Sequence, residues 1–249
     1  MTAILALVLL VAFLFPMLGM GGGQVYTPAF YWLGLDLRTQ AVPLALWLSF
    51  ASQSAAAVSY WRHGLIQFRT ALPIIVGLVC CAPVGALVSH RASDKVILFL
   101  FATMTVVALL QTLTGRRSGD GSSPRRASVF VALAGGATIG LLAGMVGRGG
   151  GSLVVPMLLL LGLDPKRAAA TSSFAICFSS LSGFLGHLAI AGPALPAPGL
   201  AVLTAAAVAA AFAGSRYMAR RLRSRTVRRL FAVALGGVAA KLYWDVFAS

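Results

Sequence analysis

Eight long apolar stretches dominate this sequence and restrict the folds open to it. A helix needs about 20 mainly apolar residues to cross the hydrocarbon core of a bilayer. Hydrophobic residues make up 59% of the 249-residue chain and charged residues 10%, against about 25% charged in a soluble domain. The sequence therefore predicts an all-α polytopic membrane protein and argues against a soluble enzyme. The stretches are residues 2–18, 39–61, 70–89, 95–114, 128–146, 168–190, 198–216 and 229–247.

The two halves of the chain repeat each other. Residues 19–36 match residues 147–164 at an offset of 128, with a triple glycine, a proline and a Gly-Leu-Asp turn in the same order. Such a match in register is typical of an internal duplication. We expect each half to hold a glycine-broken hairpin, whose second arm is short (24–34 or 152–162), followed by three helices. The first repeat is 1–114, with its hairpin at 2–34 and helices at 39–61, 70–89 and 95–114. A polar linker spans 115–127. The second repeat is 128–249, with its hairpin at 128–162 and helices at 168–190, 198–216 and 229–247.

Basic residues predict how the two halves are oriented. The chain carries 20 Lys and Arg residues against 5 acidic residues, all of them Asp. If each hairpin crosses the membrane once, the repeats are parallel and the basic residues outside the membrane divide 12 to 7. If each hairpin turns back at its glycines, the repeats are inverted and the division is 15 to 4. Because cytoplasmic loops are enriched in Lys and Arg, we favour inverted repeats, a cytoplasmic linker and both termini on the periplasmic or extracellular side.

The triple glycines predict an anion site. Backbone leaves helical geometry inside a membrane only where protein or water surrounds it, and glycine accepts the positive φ that such a break requires. The half-helices that start after the breaks, at Gln24 and Ser152, present free N–H groups and a positive dipole end. The alternative is that the glycines only allow close helix packing, but two breaks in matched register favour the anion site. The substrate-binding candidates here are Gly21, Gly22, Gly23, Gln24, Gly149, Gly150, Gly151 and Ser152.

Arg148 lies within the second break, where the first half has Met20. An arginine inside a membrane is costly and usually marks a ligand or a pathway. Its planar guanidinium can hold a sulfonate or carboxylate group with two hydrogen bonds. The alternative is that Arg148 reaches to the membrane interface. We include it among the substrate-binding candidates.

Hydroxyl groups cluster after the second break. Thr171 and Ser172 begin the next span, and we expect them to line the site. Other serines of that span, and those around Gln53 in the first half, can simply bond to carbonyls four residues earlier. His187, late in the span, can carry a proton or lie at an interface. The acidic residues fall at span ends and in loops, where Asp36 and Asp164 fit helix-capping chemistry; the other three are Asp94, Asp120 and Asp245.

No residue pattern indicates an enzyme, a metal site or a cofactor. The glycines lack the strand–helix context of a nucleotide-binding loop, and no His, Cys or carboxylate cluster has metal-ligand spacing. No carboxylate in the middle of a span offers a proton or sodium carrier. Outward movement of an anion needs none, because an inside-negative potential contributes about 2.3 kcal/mol per charge per 100 mV. We therefore expect no catalytic residues, no metal and no cofactor.

The glycine segments carry a resemblance to a known family. The segment GMVGRGGGSLVVPMLLLLGLDPKRAAATSSFAI (144–176) resembles the sulfite exporter TauE/SafE family of anion transporters, and GMGGGQVYTPAFYWLGLDLR (19–38) is a weaker copy. The resemblance implies export of sulfite, sulfoacetate or another organosulfonate across the bacterial inner membrane. Arg148 and the Ala-Val-Pro at 41–43 depart from the family pattern. The resemblance implies that the family's motif residues are Gly149, Gly150, Gly151, Thr171 and Ser172 with Gly21, Gly22 and Gly23, and the structural prolines Pro28 and Pro156.

Two functions of different classes follow from these patterns. The first is a secondary transporter that exports a small sulfur-containing anion by alternating access at the paired glycine breaks. The second is a membrane-embedded binding or assembly protein, whose arginine clusters recruit a cytoplasmic partner or anionic lipid. We expect a small anionic substrate, membrane lipids and a second copy of the chain as partners, and no nucleic acid.

Overall fold

The structure of the chain, a computed structural model, describes residues 2–91, 129–146, 150–191 and 197–223, with further positions at 99, 103, 106, 110, 225–227, 229–230, 232–233, 236–237 and 240. The described parts contain helices and no strands, and the predicted all-α architecture is confirmed. The helices are α1 (Thr2–Met17), α2 (Gly23–Trp32), α3 (Val42–Arg62), α4 (Phe68–Arg91), α5 (Val129–Val146), α6 (Gly151–Leu160), α7 (Pro165–Ala191) and α8 (Ala197–Arg221).

Four of the described helices are long and apolar enough to cross a membrane. The segments are Leu37–Arg62, which joins a helical turn at Leu37–Ala41 to α3, and Phe68–Val88, Pro165–Ala189 and Gly199–Arg221. The helices α1, α5 and α6 are shorter apolar helices. The predicted linker 115–127 and most of the predicted spans 95–114 and 229–247 lie outside the described residues. The division of the chain into two repeats therefore stays a prediction.

Two aspartates start the long central helices, as expected from their positions. Asp36 accepts hydrogen bonds from the backbone N–H of Thr39 (2.8 Å) and of Arg38 (3.1 Å), and a π-helical turn, Leu37–Ala41, leads into α3. This turn is why α3 begins at Val42 and not at residue 39. Hydrogen bonds from the hydroxyl and N–H of Thr39 hold the pKa of the Asp36 carboxyl below its ordinary value. Asp164 accepts from the N–H of Lys166 (3.1 Å) at the start of α7.

Small residues bring α4 and α5 into backbone contact. Gly136, Gly140 and Gly144 of α5 recur every four residues, and a Cβ at each would collide with the backbone of α4 at Ile74, Leu78 and Ala82 in turn. Glycines spaced in this way let membrane helices approach closely, where dispersion and weak polar contacts hold them. Residue numbers rise in the same direction along both helices at these contacts, so α4 and α5 are parallel.

The helices α3 and α7 form the buried centre of the molecule and run antiparallel. Leu46 of α3 lies beside Gly183 of α7, and further along α3 the Ser54 hydroxyl lies 3.1 Å from the Cys177 sulfur. At the offset of 128, α3 and α7 are equivalent elements of the two proposed repeats. Equivalent helices of opposite direction are what inverted repeats predict.

The remaining helices pack in pairs that cross between the halves. α4 lies on α5 and α7, and in the same way α8 lies on α1 and α3. Gly214 of α8 approaches the backbone of Phe13 in α1, and the indole N–H of Trp47 in α3 donates to the Thr204 hydroxyl of α8 at 3.0 Å. Exchanging each helix for its counterpart 128 residues away reproduces this set of contacts. Neither half therefore packs as a unit without the other.

Candidate functional site

The backbone leaves helical geometry at both glycine segments. Between α1 and α2, Gly19 and Gly21 have φ of +73° and +66°, and before α6 Gly150 has φ of +80°. These are left-handed conformations that only glycine adopts without strain. The short helices α2 and α6 begin at Gly23 and Gly151, one residue before the starts expected from the sequence. Close packing alone, the alternative interpretation, does not require positive φ.

The two breaks touch each other. A Cβ added at Gly151 would collide with the carbonyl group of Met20, and one added at Gly19 would collide with the backbone of Ala169 in α7. Met20 is itself fully buried. Glycine at position 151 therefore lets the start of α6 lie directly against the first break. The sequence predicted two breaks in register, and the structure brings them into contact.

Both half-helices begin with unbonded backbone donors. The Gly22 carbonyl accepts from the N–H groups of Val25 and Tyr26, and the Gly150 carbonyl accepts from those of Leu153 and Val154. Neither start has a side-chain cap. No described residue accepts a hydrogen bond from the N–H groups of Gly23, Gln24, Gly151 or Ser152. Uncapped N-termini of this kind carry partial positive charge and are ready to bind an anion.

Two predicted site residues lie outside the described part of the chain. Arg148 and Gly149 fall among the residues between α5 and Gly150 whose structure is not described. Gly150, Gly151 and Ser152 follow at once and are buried. The expectation that Arg148 contacts an anion therefore stays a prediction.

The hydroxyls of α7 are engaged by the first half of the chain. Ser172 donates to the Gly19 carbonyl at 2.7 Å, and Ser173 donates to the Pro16 carbonyl at 3.3 Å. The Thr171 hydroxyl accepts from the N–H of Gln67, in the loop between α3 and α4, at 3.0 Å. These groups hold the first break and the α3–α4 loop against α7. Their expected role in lining a substrate pathway stays a prediction.

A tyrosine and a histidine hold the ends of α1 and α5 in the same way. The Tyr60 hydroxyl donates to the carbonyls of Pro16 (3.0 Å) and Met17 (3.3 Å). His187 Nε2 lies 3.1 Å from the carbonyl of Gly144, which is the residue equivalent to Pro16. Since a carbonyl only accepts, Nε2 is the protonated nitrogen of this contact. His187 is fully buried within the protein, and both of its expected roles, carrying a proton or lying at the membrane interface, stay predictions.

Sequence reasoning missed Tyr60 altogether. A signal was present, since Tyr60 and His187 are 127 residues apart, one short of the repeat offset, and each is a bulky polar residue near the end of its predicted span. Bulky polar residues at near-equivalent positions of a duplicated membrane helix indicate a shared structural task.

Several buried polar side chains have no hydrogen-bond partner among the described residues. Both amide atoms of Gln24 and of Gln53 are unpaired, and both residues are fully buried. Burying such an amide without a partner costs roughly 2–7 kcal/mol, and native proteins pair nearly all of these groups. Gln24 is one of the predicted site residues, whereas Gln53 is not. The buried hydroxyls that also lack a partner are those of Ser49, Ser59, Ser152, Ser179 and Ser180.

Comparison with known proteins places these features in a family. The family model described as sulfite exporter TauE/SafE matches residues 4–242. The chain belongs to the TauE/SafE sulfite exporter family. The resemblance inferred from the glycine motifs is confirmed.

Named relatives are membrane proteins from three kingdoms of life. The probable membrane transporter protein YunE of Bacillus subtilis is 27% identical over 69% of this chain and 72% of its own length. The probable membrane transporter protein MJ0441 of Methanocaldococcus jannaschii is 26% identical over 74% of this chain and 73% of its own. Sulfite exporter TauE/SafE family protein 3 of Arabidopsis thaliana is 28% identical over 84% of this chain, which spans only 41% of that longer protein. This TauE/SafE protein is thus a multi-pass membrane transporter of the family type.

Proposed function

We propose that this transporter carries a small sulfur-containing anion, such as sulfite, sulfoacetate or another organosulfonate, through the region where its two glycine breaks meet. The family description and the plant relatives' names refer to sulfite export. The observation that carries the proposal is the contact between Gly151 and the Met20 carbonyl. This contact joins the two breaks, and the helices that follow the breaks begin with unbonded N–H groups, two on each helix.

Two uncapped helix ends suit an oxyanion better than a cation. Backbone N–H groups point out of each helix start, and the helix dipole favours negative charge there. The residues described as buried include no Asp, Glu, Lys or Arg. No buried carboxylate of that part of the chain would therefore repel an anion. Arg148, beside the second break, would add a guanidinium suited to a sulfonate group.

The arrangement of helices supports alternating access as the mechanism. Two groups of packed helices, α4 with α5 and α7, and α8 with α1 and α3, can rock against each other while the contact of the breaks stays central. Export of an anion down an inside-negative potential needs no coupling ion. We place the protein in the bacterial inner membrane, with the arginine-rich side cytoplasmic and both termini outside.

Flux of labelled sulfite and sulfoacetate into proteoliposomes tests the proposal. We expect flux above that of protein-free vesicles, and faster flux when the membrane potential drives the anion in the transport direction. Replacing Arg148 by Ala should weaken anion affinity severalfold or more. Arg91→Ala is the matched control, because Arg91 is exposed at the far end of α4. Absence of flux for every anion tested would refute transport of this class.

The exposed arginines favour one second candidate, a binding or assembly function. His63 accepts from Arg220 Nε at 3.4 Å, and Lys166 donates to the Ala219 carbonyl at 3.1 Å, which gathers the ends of α3, α7 and α8 at one end of the molecule. Such a basic surface attracts anionic lipid or an acidic partner. Deleting residues 120–126, which hold Arg125 and Arg126 of the predicted cytoplasmic linker, separates the two functions, since transport should survive the deletion and recruitment should weaken. The exposed arginines of this surface are Arg62, Arg69, Arg167, Arg216, Arg220, Arg221 and Arg223.

A further inference from the structure

Two glutamines of the first half are buried without partners. Gln24 lies in the first turn of α2 and Gln53 near the middle of α3, and both side chains are fully inaccessible. All four of their amide nitrogen and oxygen atoms lack a hydrogen bond within the described part of the chain. A glutamine in an apolar interior is retained at a cost to folding unless something else uses its amide.

Four of the residues with unpaired groups lie at one level of the molecule. The contacts Leu46–Gly183 and Ser54–Cys177 bracket a stretch of the antiparallel helices α3 and α7. Ser49 and Gln53 fall within the bracketed part of α3, and the unpaired Ser179 and Ser180 fall within that of α7. α2 packs on α3 and α6 packs on α7. The short helices that carry Gln24 and Ser152 in their first turns thus adjoin these two helices.

The two halves differ at the glutamine positions. At the offset of 128, the counterpart of Gln24 is Ser152, and the counterpart of Gln53 is Leu181. The first half therefore supplies two amides where the second half supplies a hydroxyl and an apolar side chain. Structural needs shared by both halves do not explain residues that only one half has.

We infer that Gln24 and Gln53 donate their amide hydrogens to the oxygens of the transported anion and set its chemical class. The inference rests on the proposed function and assigns recognition to neutral donors of the first half. An amide presents two N–H donors in one plane, which suits an anion with several acceptor oxygens, such as a sulfite or sulfonate group. An anion with fewer oxygens leaves donors unpaired in a buried site, and that is a strong basis for discrimination.

The repeat itself supplies the diagnostic substitutions. Gln53→Leu and Gln24→Ser give the first half the residues that the second half already has. If Gln53 serves the ligand, Leu removes an unpaired buried amide, so the thermal stability of the ligand-free protein rises or stays unchanged. The same variant should bind sulfite at least about tenfold more weakly, as expected for a lost hydrogen bond to a charged group. Gln24→Ser should also lower the affinity for sulfite.

Calorimetric titration of the full-length protein in detergent, with sulfite, sulfate and acetate, measures these effects. We expect the preference for sulfite over acetate to shrink in both variants. Ser54→Ala is the matched control, because Ser54 is adjacent to Gln53 but its hydroxyl donates to the Phe50 carbonyl at 2.7 Å; its anion affinities should stay at the wild-type values.

The possible results separate this inference from the proposed function. A wild-type protein that neither binds nor transports any of the anions contradicts both. Wild-type transport with unchanged affinity and preference in Gln53→Leu and Gln24→Ser contradicts the inference alone. A large loss of stability in ligand-free Gln53→Leu also overturns it, because that result shows that the amide serves the fold.

Discussion

Replacing Gly151 by Ala tests the contact between the two glycine breaks directly. The added Cβ would overlap the Met20 carbonyl and approach the Ile176 side chain, so the Met20 backbone has to move. A carbonyl held in a buried turn cannot rotate away as a flexible side chain can. Introducing a methyl group into a packed site typically costs about 1–3 kcal/mol. The gain from replacing a helical glycine by alanine opposes this by no more than about 1 kcal/mol, so we expect net destabilisation.

Gly183→Ala is the matched control for this experiment. Gly183 is also a buried helical residue, but a Cβ there meets only side-chain atoms at ordinary van der Waals distances, those of Leu46 at 3.5 Å and 3.6 Å and the Cβ of Ala82 at 4.0 Å. Its stability should stay unchanged or rise by up to about 1 kcal/mol. The two Gly-to-Ala variants should therefore move the melting temperature in opposite directions. For a chain of this size, about 1 kcal/mol corresponds to about 2–4 °C.

The assays are a thermal melt of purified protein in detergent and anion flux in proteoliposomes. Displacing Met20 separates the N-termini of α2 and α6, so Gly151→Ala should reduce flux at least severalfold while Gly183→Ala keeps it. Wild-type melting temperature and wild-type flux in Gly151→Ala would refute the argument, because they would mean that the two breaks do not touch.

Two further predictions concern groups that hold helix ends, and a third concerns the membrane topology. Tyr60→Phe removes the donor to the carbonyls of Pro16 and Met17 and should cost about 1–3 kcal/mol in a melt, whereas Tyr31→Phe, at an exposed ring, should be neutral. Asp36→Ala should cost about 0.5–2 kcal/mol near neutral pH, the range for a lost helix cap. Because the folded-state pKa of Asp36 is lowered, its contribution is complete above the ordinary carboxyl pKa of about 4 and is lost as the pH falls through the folded value; the melting curves of wild type and variant should converge in acid. A reporter fused to the C-terminus should be found outside the cytoplasm, and a cytoplasmic signal would contradict the inverted-repeat topology.

The sequence by itself determined the class of fold and the family. Apolar stretches long enough to cross a bilayer leave few alternatives to a helical membrane protein, since backbone groups in lipid must bond within their own segment. The breaks were readable too, because glycine tolerates positive φ at Gly21 and Gly150. Asp36 and Asp164 marked the starts of α3 and α7 through local capping chemistry. Each of these signals depends on residues close together in the chain.

Only the tertiary structure decided which groups meet. The Gly151–Met20 contact, the anchoring of the first break by Ser172 and the burial of Gln53 all join segments more than 100 residues apart or depend on helices from both halves. In a chain that is 59% hydrophobic, apolar helices have many faces that could pack. Small-residue fit between backbones selects among those faces. Pairwise fit of this kind has no local signature, which is why the sequence located the two breaks while the structure alone brought them together.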